Sequence, residues 1–129
     1  MKILVIEPEK APYEKEIGDD IHDMQAIVGG CIEPIYFEPK QDALVWCNDE
    51  FLLNGSQPNR IVGNVLVHGT FFVSGNYMNE YGEWDSCSLT DEQIEKYSEI
   101  FETPVIVFEQ VEELTEDFEE AEEPKFTMS

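Results

Sequence analysis

The apolar residues of this chain come in short runs broken by proline, glycine, asparagine and aspartate, and only two runs repeat with the period of a helix. A chain punctuated in this way is restricted to a fold built mainly on strands. Ile3-Leu4-Val5-Ile6 is a continuous apolar run ended by Pro8, the pattern of a strand buried on both faces. Residues 12–17 alternate, with Tyr13, Lys15 and Ile17 on one side and Glu14 and Glu16 on the other. They predict a half-exposed strand paired with the first across a turn at residues 8–11. Asp19-Asp20 then offers an N-cap, Ile21, Met24, Ile27 and Val28 recur at helical spacing, and Gly29-Gly30 is a stop signal.

Residues 31–37 and 42–47 read as two further strands. The pattern breaks over residues 48–64, where Asn54-Gly55 marks a tight turn and Pro58 limits any strand around it. The most apolar strand spans residues 65–74, with Gly69 in its middle predicting a bulge or a close backbone approach. Residues 75–88 read as a second irregular stretch. A helix follows on strong local signals. Thr90 and Gln93 form a capping box, Leu89 and Ile94 fit a hydrophobic staple, and Ile94, Tyr97 and Phe101 share one face. Pro104 opens a last predicted strand over residues 104–111. The expectation is an α+β fold: a single small domain with a mostly antiparallel sheet of five to six strands and two short helices, in the order β-β-α-β-β-β-α-β.

Charge sets the surface character. The chain carries 29 acidic and 7 basic side chains, a net −22, while 42% of its residues are hydrophobic, which is too many for wholesale disorder. Residues 1–111 hold 21 acidic and 6 basic groups, so the excess belongs to the folded part as well. Eight of the twelve residues from 112 to 123 are acidic. This shift sets a boundary between a domain over residues 1–112 and an acidic tail over 113–129, read as disordered or frayed helix. Such a surface disfavours direct contact with nucleic-acid phosphate, which needs a basic patch, and attracts basic partners. No run approaches the length of a membrane span, and the first residues lack a signal-peptide pattern, so a cytoplasmic protein with no membrane contact is expected. Cys31, Cys47 and Cys87 have no paired spacing and read as reduced thiols.

No catalytic set can be named. His22, His68 and the cysteines lack zinc-ligand spacing, both frames for a calcium loop fail, and no phosphate-binding glycine motif or nucleophile elbow occurs. Neither a metal nor a cofactor is expected. Two candidate surfaces remain. One is a polar loop whose Asn48, Asn54, Asn59 and Arg60, with His68 and Thr70 of the following strand, would bind a small, nucleotide-like ligand. Against this stands the plainer reading that Arg60 closes the loop with an ion pair. The other is the aromatic–acidic stretch with Tyr77, Tyr81 and Trp84, whose composition suits a protein interaction.

The segments KILVIEP, MQAIVGGCIEPIY, LVWCNDE…LNG…PNR, GTFFVSG and SLTDEQIEKY, in this order over residues 1 to about 102, resemble a "domain of unknown function" family. It is a family carried by phages, plasmids and conjugative elements of Gram-positive bacteria. The resemblance implies a small cytoplasmic accessory protein with no established activity. Its motif positions here include Asn48, Asn54, Asn59, Arg60, Gly69 and Thr70, whereas the acidic end lies outside the pattern. Together with the charge, this gives the functional expectation. The chain is read as a non-enzymatic accessory protein of a mobile genetic element whose acidic surface acts on a basic host protein, by DNA mimicry or counter-defence. The alternative is the ligand-binding module.

Overall fold

The computed structural model describes residues 1–53 and 55–105. Its elements are β1 (Lys2–Ile6), β2 (Tyr13–Glu16), α1 (Ile21–Val28), β3 (Ile32–Ile35), β4 (Ala43–Asn48), β5 (Pro58–Val62), β6 (Val65–His68), β7 (Phe71–Met78), β8 (Trp84–Cys87) and α2 (Asp91–Ile100). Six strands form an antiparallel sheet in the order β2-β1-β7-β4-β3, with β8 also on β7, and β5 and β6 form a separate hairpin. The class expected from the sequence, α+β with a mostly antiparallel sheet, is the one observed.

β7 is the axis of the sheet. Its partner strands β1 and β8 lie end to end along one edge, the first against Phe71–Val73 and the second against Gly75–Met78. Leu89 N–H donates to Lys2 O at 2.9 Å and closes the joint between them. Because side chains alternate along a strand, β7 feeds two cores. Phe71 and Val73 pack with Leu4, Ile6, Val45 and Cys47 under α2 and the β5–β6 hairpin. Phe72 packs with Ile3 and Val5 under Met24 and Val28 of α1. The first cluster is the larger, and Phe71 meets Phe101, the C-cap of α2, edge-on at 5.6 Å.

Local signals placed both helices. The Asp20 side chain accepts from His22 N–H at 3.1 Å, and Gly29 ends α1 in the left-handed region. In the capping box, Thr90 N–H donates to Gln93 Oε1 at 2.9 Å and Gln93 N–H to Thr90 Oγ1 at 3.1 Å. Leu89 and Ile94 join the same core, as the staple requires.

Three readings are corrected. The single strand over residues 65–74 is two strands in different sheets, separated at Gly69. That residue has φ +80°, its N–H reaches Gln57 O at 2.7 Å, and a Cβ there would lie 3.0 Å from Ser56 Oγ. The apolar pattern is similar on both sides, so nothing in it betrays the switch. The irregular stretch 48–64 contains β5, with Pro58 tolerated as its first residue. The irregular stretch 75–88 is the outer half of β7 and all of β8. Asn79 Oδ1 closes their turn by accepting from the N–H groups of Tyr81 and Glu83, each at 2.9 Å. Of the predicted last strand only Pro104 and Val105 are described, and Val105 N–H donates to Asn59 O at 2.9 Å. The rest of that strand, the boundary at 112 and the acidic tail lie outside the described residues.

Gly69→Ala combines a left-handed backbone with a close approach to Ser56. It is expected to destabilise the fold by about 1–3 kcal/mol. Gly82→Ala, with φ +77° and open space around it, should cost less. Urea unfolding of the two variants checks the order.

Candidate interaction surface

The polar-loop residues serve the fold in separate places. Asn48, at the end of β4, donates to Val28 O at 3.2 Å, supplying a partner for a carbonyl at the end of α1, and accepts from Glu50 N–H at 2.7 Å. Asn59 is fully buried and donates to Ile6 O at 3.0 Å and Gly69 O at 2.8 Å. Arg60 is 2% exposed. Its guanidinium donates to Phe101 O at 2.7 Å, Lys10 O at 2.6 Å and Asn59 Oδ1 at 2.7 Å. Burial lowers its pKa from the ordinary value. The loop is closed as the plainer reading held, but by carbonyl oxygens instead of an ion pair. Arg60 presents no guanidinium to solvent.

His68 is half-buried. Its ring stacks on Phe51 at 5.7 Å, and Nδ1 lies 3.0 Å from Ser56 O. A carbonyl only accepts, so Nδ1 carries the proton. Thr70 is half-buried at the entry to β7. Asn54 lies outside the described residues. Among the described residues no three His, Cys, Asp or Glu side chains gather around a metal position. Of the cysteines, Cys31 is exposed, Cys87 half-buried and Cys47 buried, and burial pushes the Cys47 thiol up to about 11.

The aromatic candidates stand on the β7–β8 hairpin. Tyr77, Tyr81 and Trp84 are all exposed, Tyr81 most of all at 79%. Tyr77 faces a cleft of about 570 Å³ between the hairpin and α1, where it is joined by Trp46, Asp19, Asp85, Ile21 and Met24. Tyr77 and Tyr81 share a shallower hollow at the hairpin tip, while Trp84 pairs with Met78 across the strands. The cleft is built from fixed parts. Trp46 Nε1 donates to the buried Ser74 Oγ at 3.0 Å, which anchors the indole. Asp85 sits opposite Tyr77 in the ladder and accepts from Asn79 Nδ2 at 3.0 Å. Asp19 precedes the cap of α1. The aromatic–acidic stretch singled out in the sequence runs from Tyr77 to Asp85 and so contains two of these residues, but the sequence did not point to Trp46 or Asp19. Those two come from distant segments, and a tryptophan within an apolar strand reads as core.

The opposite face of the sheet is also negative. Asp91, Glu92, Glu95, Glu99 and Glu102 are exposed on and just beyond α2. Lys96 is held by Glu38 at 3.2 Å, and Lys2 is shared between Asp91 at 3.2 Å and Glu14 at 3.6 Å. No described helix is long and apolar enough to cross a membrane.

A family model described as "Domain of unknown function (DUF3846)" matches residues 1–102, the span over which the motif resemblance runs. No curated protein and no solved structure matches the chain.

Arg60→Ala leaves the buried carbonyl of Phe101 and the partly buried carbonyl of Lys10 without this donor. Unfolding by denaturant is expected to show a loss of about 2–5 kcal/mol. Arg60→Lys should recover little of it, because one ammonium cannot span the acceptors of the fork.

Proposed function

We propose a function for this chain from the premise that it belongs to the family described as "Domain of unknown function (DUF3846)": it is a non-enzymatic accessory protein that acts by binding a basic protein. The carrying observation is the cleft that sets Trp46 and Tyr77 beside Asp19 and Asp85. A Lys or Arg side chain entering it gains two kinds of partner. Rings within about 6 Å of a cation contribute about 0.5–2 kcal/mol. Carboxylates accept charge-assisted hydrogen bonds, and the apolar stem lies along Ile21 and Met24.

The net charge of −22 draws such a partner in and makes the encounter sensitive to salt. The resemblance to chains carried by mobile genetic elements makes a cytoplasmic host protein, targeted for counter-defence, the natural partner. Imitation of a DNA duplex has weaker support. The exposed acids of α2 and its end are five, Asp91, Glu92, Glu95, Glu99 and Glu102, on a single short helix, whereas a duplex presents charge along two strands. The nucleotide-like ligand reading loses its anchor with Arg60 committed to the interior.

Trp46 reports on its own cleft once Trp84→Phe removes the second indole. In that background, titration with an oligo-arginine peptide is expected to change the fluorescence saturably. Asp19→Asn with Asp85→Asn should weaken binding about tenfold, equivalent to about 1.4 kcal/mol. A response that does not saturate, or that ignores the two substitutions, overturns the proposal.

A further inference from the structure

In a chain with 29 acidic residues, the stretch 51–79 contains none, and its one basic residue, Arg60, is buried. This neutral stretch exposes large apolar side chains. Leu52 and Leu53 stand 73% and 85% exposed on the turn after β4, and Ile61, Val65 and Leu66 are exposed on the β5–β6 hairpin. Single exposed leucines are ordinary, but a group of them on a stretch of chain without surface charge marks a contact surface. The turn is also one wall of a second cleft, of about 370 Å³, whose other walls are Ile35 of β3 and Val65 of β6. Cys47 lies at its floor, buried and protonated. Glu33, Asp49 and Glu50 line the same opening and are exposed, and among the described residues no lysine or arginine lines it.

Charge decides what can sit there. A second copy of this chain would bring these three carboxylates against their own counterparts in a molecule already carrying −22. A basic segment meets no such opposition. We infer that this cleft seats an apolar anchor of a basic partner: a segment that places a large aliphatic or aromatic side chain between the Leu52–Leu53 turn and Ile35, with Lys or Arg on either side meeting Glu33, Asp49 and Glu50. The inference rests on the basic-partner reading and adds a second point of attachment on a different part of the molecule. The apolar anchor supplies affinity that salt does not screen, whereas the flanking charges orient it.

Backbone amide NMR spectra of the full chain test this with two amphipathic peptides. Both carry the same lysines and arginines, and in the second every leucine is replaced by serine. The first peptide is expected to shift the amides of Ile35, Cys47, Phe51, Leu52 and Val65. The serine peptide should leave these in place, and the double variant Leu52→Ser, Leu53→Ser should bind the leucine peptide about tenfold more weakly. Both leucines are exposed, so the variant keeps its fold, which its unchanged spectrum elsewhere verifies. Equal shifts with both peptides, confined to Trp46, Tyr77 and Asp85, overturn this site and leave the charged cleft standing. No shift with either peptide overturns both. Shifts at Leu52 and Val65 that grow with protein concentration alone overturn it in favour of a second copy.

Discussion

The guanidinium of Arg60 is the fixture on which the arrangement of the fold depends. An isolated charge in a low-dielectric interior is costly, and it persists only when every donor is satisfied. Here the acceptors are the carbonyls of Phe101 and Lys10 and the amide oxygen of Asn59. Asn59 in turn bonds Ile6 O and Gly69 O. The pair therefore ties β5 to the end of β1, the loop after it, the switch between β6 and β7, and the last turn of α2. Backbone carbonyls cannot move independently of their segments. Satisfying one guanidinium thus fixes several pieces of chain relative to one another. The last turn of α2 carries no basic residue of its own, and Arg60 supplies the positive charge that the helix C-terminus favours.

The choice of carbonyls follows from the composition. With so many carboxylates on the surface, burying one to meet Arg60 would require desolvating a second charge. The surface acids remain in water, where their few ion pairs with Lys2, Lys10 and Lys96 contribute little each. Stability comes instead from two apolar layers on either face of β7. Surface charge is distributed over α2, the start of α1, β2 and the hairpin tip, and is absent from the β5–β6 hairpin, whose one charged residue, Arg60, is buried. That segregation produces two kinds of surface on one small domain. One suits cationic side chains, and the other suits apolar ones.

Legibility followed the range of the physics. Strands β1 and β2, both helices and their caps were visible because alternation, capping boxes and stop signals act within a few residues. The strand over 65–74 was visible as strand but not as two. Gly69 changes the direction of the chain without changing the hydrophobic pattern, and its demand for a left-handed backbone arises only when Ser56 comes against it. β8 was missed because Trp84-Asp85-Ser86-Cys87 does not alternate, whereas β2, exposed throughout, does. Of the candidate site, Tyr77 and Asp85 lay within the stretch found from composition, whereas Trp46 and Asp19 were brought to it by folding.

The sequence by itself determined the α+β class, the helix limits, the negative surface and the importance of residues 48–60 to the chain. Each of these depends on residue type and short spacing. Only the tertiary structure decided what those residues do. Whether Arg60 grips a ligand, an acid or the backbone depends on which groups surround it, and its partners Lys10 and Phe101 lie 50 and 41 residues away. The two clefts have the same origin. Their walls belong to elements distant along the chain, and a pattern read along the chain contains no distances across it.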